Sequence, residues 1–253
     1  MRLPRMLFAL VLFLGFAPAP AGASHESRSF EQPLWFQWEK AALDVLIVPP
    51  NHGQIYNARN GVLNRLDPGE LNPLTTSYLA AIENSVADFH TAVNLYGSQT
   101  LRNGLKTNVY VLGRDNVPQA ALTSPEVVIV TDENKGSVLG VAVSSRPCIV
   151  NNSKLFVTSF SYEDMFNVNA QEYGHCLGLE HVPGHVDGPD GDKHDPMNGS
   201  YPHSPGADGT DLHCVSNLNV LGLEEVFRRP LTGARGANVV KMPISQYVRR
   251  SSC

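Results

Sequence analysis

The succession of apolar patterns along the chain predicts an α/β (α+β) fold built on a mixed sheet. A short run rich in β-branched residues, 43–48, is followed by a long segment, 75–96, whose apolar residues recur at spacings of three and four. Several further short apolar runs come after it. The short runs are typical of strands, and the recurring spacing is typical of a helix with one buried face. A strand, a long helix and then more strands favour helices packed against a sheet.

The elements are predicted in a definite order. Strand 43–48 ends at a Pro-Pro pair, and the Asn-, Gly- and Pro-rich residues 51–72 indicate a loop. The first helix begins at Thr75 or Thr76 and ends near residue 96, before a glycine. The strands that follow it are predicted at 107–112, 126–131, 139–143 and 155–158.

A second long helix begins at a local signal. Ser161 with Asp164 three residues later resembles a capping box, in which each residue satisfies a backbone N–H group of the other. The helix is predicted to run from there into residues 171–181. A further helix, 216–227, closes the C-terminal part of the chain, and residues 231–253 carry no motif.

The N-terminus has the three parts of a secretory signal peptide. Arg2 and Arg5 precede an apolar run, 6–16, and a small-x-small cleavage site follows at 21–23. The apolar run is shorter than the ~20 residues that a membrane-spanning helix needs. Residues 1–23 are therefore predicted to be removed, and the mature protein is expected to be secreted and to have no membrane contact.

Length and charge limit what the mature chain can be. The 253 residues carry a formal charge of -5, and the scattered basic residues exclude an electrostatic surface for nucleic acid. We expect one domain at 42–230 whose two lobes divide near residue 181. An N-terminal segment, 24–41, precedes it as a short pro-segment or an edge element, and a C-terminal tail, 231–253, follows. A monomer is expected.

The cysteines predict disulfide bonds. Cys148, Cys176, Cys214 and Cys253 would all meet an oxidising environment outside the cell. Three full pairings are open, and the sequence alone does not choose among them. We expect one bond among the first three, while Cys253 could be unpaired. A bond from Cys176 would clamp the motif in which it lies.

Residues 171–181 have the spacing of a metal site. Gln171 and His175 are one helical turn apart and share a face. Gly178 lets the helix stop and turn sharply, because glycine tolerates a positive φ at low cost, and the turn carries His181 back toward that face. Glu172, one position round the helix, suits a general base rather than a ligand.

This stretch resembles the metzincin zinc-peptidase signature H-E-x-x-H-x-x-G-x-x-H, with Gln171 in place of the first histidine. Downstream, residues 195–199, Asp-Pro-Met-Asn-Gly, resemble the methionine turn that underlies the zinc site of that family. The resemblance implies a metzincin-like zincin fold, with a mixed twisted sheet and two long helices above a cleft. A small C-terminal lobe closed by a helix would lie below. An edge strand, 140–144 or the next one, would bind substrate in extended form.

The resemblance also implies roles for single residues. His175 and His181 would bind Zn²⁺, with Gln171 as a weak or substituted ligand, and Glu172 would be the general base for a metal-activated water. Met197 would pack beneath the metal without binding it. The implied activity is that of a secreted zinc metalloendopeptidase, and the implied partner is a peptide or protein substrate.

Gln171 leaves three interpretations open. An amide oxygen is neutral and harder than an imidazole nitrogen and should hold zinc more weakly. The site could keep zinc with reduced affinity. Alternatively, His185, Asp187 or His194 could replace the missing histidine. In the third interpretation the protein is a catalytically inactive metzincin homologue that binds peptides or a partner protein.

Two further hypotheses concern the residues after the motif. Tyr201 could reach a reaction intermediate, as a tyrosine after the methionine turn does in some metzincins. Asp187, Asp190 and Asp192 could bind Ca²⁺ through hard carboxylate oxygens. A solvated acidic loop is the more ordinary explanation of that cluster.

Overall fold

A five-stranded mixed sheet and two long helices form the centre of the fold. The computed structural model describes residues 29–38, 42–49, 73–132, 139–153, 160–182, 194–198, 212–228, 231 and 233–253. The strands are β1 Ser29–Leu34, β2 Ala42–Ile47, β3 Lys106–Val111, β4 Val127–Asp132, β5 Gly140–Val143, β6 Cys148–Ser153 and β7 Asn238–Pro243. The helices are α1 Pro73–Tyr96, α2 Gln99–Gly104, α3 Gln119–Thr123, α4 Tyr162–Cys176 and α5 Asn217–Arg228, with a 3-10 turn at Ile244–Gln246. The predicted α/β class is confirmed.

The sheet has the strand order β3-β2-β4-β6-β5. Strands β3, β2, β4 and β6 run parallel to one another, and the last strand, β5, pairs antiparallel with β6. Strands β2 and β4 are buried on both faces, with Val45, Ile47 and Ile129 on the side of the main core and Leu46, Val128 and Val130 on the other side. Burial on both faces explains why the runs 45–48 and 127–130 are continuously apolar rather than alternating. Strand β5 is left at one edge.

Helix α1 covers the sheet with the face that its sequence predicts. The apolar residues that recur at spacings of three and four are all buried: Leu79, Ile82, Val86, Phe89 and Val93. Each large side chain buried in this way stabilises the fold by roughly 1.5–3 kcal/mol relative to an exposed one. The helix begins at Pro73, slightly before the predicted threonines, which fits proline at a first helical position.

Helix α4 begins at the predicted capping box. The Ser161 hydroxyl accepts a hydrogen bond from the Asp164 backbone N–H (3.2 Å), and the Asp164 carboxylate accepts one from the Ser161 backbone N–H (3.2 Å). From there the helix runs against α1, where the Phe89 and Tyr173 rings meet edge to face at 5.4 Å. Every α4 residue from Met165 to Cys176 is buried, so the motif lies on a helix held firmly on several sides.

A second, two-stranded sheet joins the two ends of the described chain. β1 pairs with β7 antiparallel, from Ser29 opposite Pro243 to Leu34 opposite Asn238. The sequence placed β1 in a segment ahead of the domain and β7 in a tail without motifs. In the structure they pair with each other, and Gln32 of β1 accepts a hydrogen bond from Asn219 of α5 (2.9 Å). The N-terminal segment therefore includes an edge element of the fold.

Two disulfide bonds connect the four cysteines. Cys148 of β6 is bonded to Cys176, the last residue of α4, which confirms a bond among the first three cysteines. Cys214 is bonded to Cys253, so the expectation that Cys253 could be unpaired is wrong. The physical reason is the β1–β7 pairing, which returns the end of the chain to the domain.

Two short helices were not predicted from the sequence, and some predictions concern residues that the structure does not describe. Helices α2 and α3 span only six and five residues, too short for a periodic pattern. The predicted signal peptide, 1–23, and the strand at 155–158 lie outside the described residues. Among the described residues, no helix combines the length and the apolar character needed to cross a membrane.

Candidate metal centre

The end of α4 is a tight turn that reverses the chain. The Gly178 N–H donates to the His175 carbonyl (2.9 Å), and the Leu179 N–H donates to the Gly174 carbonyl (3.0 Å). These are the two hydrogen bonds of a Schellman motif. Gly178 has φ of +94°, and a Cβ atom there would lie 2.4 Å from the carbonyl oxygen of Phe36. The turn thus needs glycine for its conformation and for the close approach of a neighbouring chain segment.

Replacing Gly178 with Ala is expected to lower the free energy of unfolding by about 3 kcal/mol or more. A positive φ costs a residue with a side chain on the order of 1–3 kcal/mol, and the contact with the Phe36 carbonyl adds a steric clash with backbone. Gly236→Ala is the matched control, because Gly236 also has a positive φ (+75°) but nothing lies within 4 Å of its added Cβ. Denaturant unfolding of both variants measures the difference. Equal losses would show that the close approach at Gly178 is unimportant.

The turn fixes the protonation pattern of His175. Because the chain reverses at Gly178, the carbonyl of Leu179 lies 2.8 Å from His175 Nδ1. A carbonyl can only accept, so Nδ1 carries the proton and donates it to this bond. The lone pair of the neutral ring is then on Nε2. Metal-binding histidines are oriented in the same way, by a hydrogen bond from the nitrogen that does not bind the metal.

Three side-chain ends converge at His181. Its Nε2 lies 2.9 Å from His175 Nε2 and 2.8 Å from Gln171 Nε2. The two imidazole rings meet edge to face, with centroids 4.5 Å apart. Nitrogens bound to one tetrahedral zinc lie about 3.3 Å apart, given Zn–N bonds of about 2.0–2.1 Å. Opening this cluster by a few tenths of an ångström would therefore admit an ion.

Three groups that can bind a metal meet at this point. Without a metal, a neutral His181 ring that carries its proton on Nε2 can donate to His175 Nε2 (2.9 Å). A cation between the three side chains would instead accept a lone pair from each histidine Nε2 and from the Gln171 amide oxygen, once the amide is turned so that this oxygen faces inward. The chemistry of the donor set thus fits a metal ion.

Both histidines are neutral at neutral pH, although only His175 is buried and the His181 side chain is 44% exposed. The pKa of His175 is lowered by burial and by the neighbouring His181, and the pKa of His181 is lowered by burial. A neutral imidazole is the form that binds metals. The two rings are therefore available as ligands at neutral pH, without first losing a proton.

Glu180 joins the two histidines in a group that could bind a metal ion. One carboxylate oxygen of Glu180 and one ring nitrogen each of His175 and His181 all lie within 4.8 Å of one another. The Glu180 carboxylate also accepts from the His181 backbone N–H (3.0 Å). The motif gave no role to this residue, and its adjacency to His181 was the one local signal that could have indicated it.

Glu172 is buried between α4 and the edge strand β5. Its carboxylate accepts a hydrogen bond from the backbone N–H of Ala142, and burial, partly opposed by that bond, raises the pKa of Glu172 to about 7. A Cβ atom on Gly140 would lie 3.0 Å from Glu172 Cγ, so the glycine lets β5 approach the side chain closely. Glu172 and His175 are three residues apart on α4, so their side chains leave neighbouring parts of the same helix face.

Met197 lies directly against the motif helix. A Cβ atom on Gly174 would be 2.4 Å from Met197 Sδ, so the absence of a side chain at Gly174 makes room for the thioether. Met197 is fully buried, and its carbonyl accepts from the Val182 N–H (2.8 Å), next to His181. The turn around Met197 thus supports both ends of the 171–181 stretch.

His194 is the candidate replacement ligand that lies among the described residues, and it is not brought to this cluster. His194 packs edge to face against His213, with ring centroids 5.5 Å apart, and the metal-competent group found in the described part of the chain does not include it. The structure therefore gives no support to His194 as a replacement for the missing histidine, because the turn before Met197 directs it elsewhere. His185, Asp187, Asp190, Asp192 and Tyr201 lie outside the described residues.

Two residues distant in sequence cover the cluster. The ring of Trp35 meets the His175 ring edge to face at 5.7 Å, and the Arg235 guanidinium stacks on the Trp35 ring at 3.9 Å. Arg235 also forms a salt bridge with Glu180 through two of its nitrogens. The sequence assigned neither residue to the site, because each comes from a segment outside the predicted domain.

Comparisons with known proteins add little to this description. No family model matches the sequence, and no curated protein matches it. A chain of the solved structure described as "GM1 bound form of the ECX AB5 holotoxin" is similar over 81% of this chain and 82% of that chain. The sequence identity is 12% and the TM-score is 0.32. A similarity of this size carries no argument about fold or function. What the site can do is therefore inferred from the contacts described above.

Proposed function

We propose that the protein is a secreted, zinc-dependent metalloendopeptidase with a metzincin-like fold. One observation carries the proposal: the side-chain ends of Gln171, His175 and His181 converge, with His181 Nε2 lying 2.8 Å from Gln171 Nε2 and 2.9 Å from His175 Nε2. The His175 Nδ1 bond to a backbone carbonyl supports it, because that bond turns Nε2 toward the same point. Two imidazoles, of which that of His175 is buried, and a third donor suit zinc, and catalytic zinc sites use three protein ligands and keep one position open.

The residues around the cluster support hydrolysis of a peptide bond. Zinc, when bound, would polarise the scissile carbonyl and lower the pKa of a coordinated water. Glu172 would accept the proton of the attacking water and later give it to the leaving amine, since its carboxylate is the acid–base group on the helix face of His175. Met197 and Gly178 would hold the ligands in place from below.

The edge strand β5 suits an extended substrate. It is the outermost strand of the sheet, Val143 is exposed, and Gly140 packs against Glu172. A peptide added to this edge would form backbone hydrogen bonds and lie beside the histidine cluster. This geometry favours an endopeptidase, because a strand laid along β5 can continue in both directions. The two disulfide bonds are consistent with secretion.

Gln171 favours a second candidate, a catalytically inactive homologue that binds peptides or a partner protein. A neutral amide is a weaker zinc ligand than imidazole, and the loss of one strong ligand could leave the cleft as a binding surface only. This candidate differs from the first in metal content and in activity, so one set of variants separates them.

The mature wild-type chain is expected to bind about one zinc and to cleave peptides, and Gln171→His is expected to raise zinc affinity at least about tenfold. The added imidazole supplies the stronger ligand at the same position on the helix face. Zinc stoichiometry and affinity are measured by titration, and cleavage is measured with unstructured peptide substrates. Gln171→Ala is the control for altering this position without adding a ligand.

The outcomes distinguish the two candidates. Activity that appears only in Gln171→His would establish the inactive homologue. Absence of stoichiometric zinc from the wild-type chain after equilibration with the metal at neutral pH would refute the proposed zinc-peptidase function.

A further inference from the structure

Glu180 has the position of an additional metal ligand. It lies between the turn at Gly178 and His181, and its side chain is only 15% exposed. Its carboxylate oxygen is within 4.8 Å of one ring nitrogen of each histidine in the cluster. The same carboxylate is bound by Arg235 and by the His181 backbone N–H. An anionic oxygen donor thus lies beside two neutral imidazoles and is held by an arginine.

We infer that Glu180 supplies the third protein ligand that Gln171 supplies only weakly, and that Arg235 competes with the metal for this carboxylate. The inference rests on the proposed function, since it names the ligand set of the same zinc site. Two histidines and one glutamate form an established ligand set for catalytic zinc. A carboxylate brings a negative charge to the divalent ion, whereas the Gln171 amide is neutral.

The required movement is confined to the side chains of Glu180 and His181, because the Glu180 oxygen lies 4.0 Å from His181 Nδ1, whereas His181 Nε2 faces His175 and Gln171. Ligand atoms on one zinc are about 3.3 Å apart, so the Glu180 oxygen, within 4.8 Å of one nitrogen of each histidine, must move closer by at most about 1.5 Å. The Glu180 backbone stays fixed, because its carbonyl accepts from Gln32 Nε2 (2.6 Å) and its N–H donates to the Pro33 carbonyl (2.9 Å). Rotation about the side-chain bonds covers the remaining distance.

Arg235 can release the carboxylate without disturbing the core. Its side chain is 53% exposed, and it also stacks on the Trp35 ring at 3.9 Å. The guanidinium can therefore stay on the Trp35 ring and exchange Glu180 for water. Competition of this kind makes the salt bridge a regulator of zinc affinity rather than a purely structural bond.

Zinc affinity of the mature chain tests the inference through substitutions of both partners. Glu180→Gln is expected to weaken zinc binding at least about tenfold, in the range found when groups around a metal site are removed. Arg235→Gln is expected to strengthen binding several-fold, because the carboxylate loses its competitor. A purely structural salt bridge predicts instead that both variants weaken binding, since each breaks the same bond.

Glu180→Asp distinguishes direct binding of the metal by the carboxylate from electrostatic attraction between the carboxylate and the metal at a distance. Aspartate keeps the charge but is shorter by one methylene, so a ligand role predicts weakened binding, as in Glu180→Gln. An effect of charge alone predicts wild-type affinity. Visible spectra of the Co²⁺-substituted protein supply a second readout, because loss of a carboxylate ligand changes the absorption of the metal. The spectrum is expected to change in Glu180→Gln and to keep its wild-type form in Arg235→Gln.

Glu83→Gln and Arg114→Gln are matched controls, because Glu83 and Arg114 form a comparable two-nitrogen salt bridge on the surface. Both are expected to bind zinc as the wild type does. Wild-type zinc affinity and an unchanged Co²⁺ spectrum in both Glu180 variants would overturn the inference and leave the proposed function standing. Failure of the wild-type chain to bind zinc would refute the proposed function itself.

Discussion

Replacing Glu172 with Gln or Ala is expected to lower kcat for peptide cleavage by about 10²–10⁴-fold, the usual contribution of a positioned acid–base group. Gln keeps the shape of the side chain but takes no proton from the attacking water. Zinc content is expected to be unchanged, because Glu172 lies on the β5 side of the helix and is not one of the converging ligands. Peptide cleavage, zinc analysis and thermal unfolding of the same preparations give the three measurements.

The control for Glu172 is Glu163→Gln in the first turn of the same helix. Glu163 is two to three turns from the histidine cluster, so its loss should leave kcat within about twofold of the wild type. The Glu172→Gln variant is expected to fold, because an isosteric amide fills the same space and burial already disfavours the charged carboxylate there. A kcat of Glu172→Gln within about tenfold of the wild-type value would show that Glu172 is not the general base.

Local signals explain which parts of the site the sequence predicts. The Ser161–Asp164 capping box and the positive φ at Gly178 define the start and the end of α4, and both act within a few residues. Once the helix is bounded, the spacing of Gln171, His175 and His181 follows from its geometry. These parts are therefore readable from one stretch of chain.

Contacts between distant segments explain what the sequence does not predict. Arg235 reaches Glu180 across 55 residues, and Trp35 reaches His175 from the other end of the domain, so no local pattern marks either contact. The strand β6 was also missed. Its asparagines interrupt the apolar pattern. Asn152 is buried, and its amide nitrogen donates to Asn169 on α4 (2.8 Å), because a hydrogen-bonded polar side chain can occupy a core position.

A buried polar network connects the methionine turn with Glu180. The fully buried Asp195 accepts from the hydroxyl of Ser216 (2.7 Å) and from Asn219 Nδ2 (3.1 Å). Asn219 also donates to Gln32 (2.9 Å), and Gln32 donates to the Glu180 carbonyl (2.6 Å). Strand β1 thus connects the turn that contains Met197 with the backbone beside His181 through hydrogen bonds. The first strand of the described chain is in this way part of the site's support.

Replacing both Cys148 and Cys176 with Ala is expected to lower the free energy of unfolding and to weaken zinc binding together. The bond joins residues 28 apart, and loss of a bond that closes a loop of this length costs about 3.6 kcal/mol through the greater freedom of the unfolded chain. Cys176 is also the neighbour of His175 and the last residue of α4. Without its bond to β6, the helix end and the histidine on it are held less firmly, and we expect zinc affinity to fall about tenfold.

The second disulfide separates these two effects. Cys214 and Cys253 are 39 residues apart, so the Cys214→Ala, Cys253→Ala variant is expected to lose a similar free energy of unfolding, about 3.9 kcal/mol. It anchors the end of the chain and contacts none of the ligands, so its zinc affinity should match that of the wild type. Denaturant unfolding and zinc titration of both double variants test the distinction. Equal zinc affinities in the two variants would show that the Cys148–Cys176 bond stabilises the domain without positioning His175.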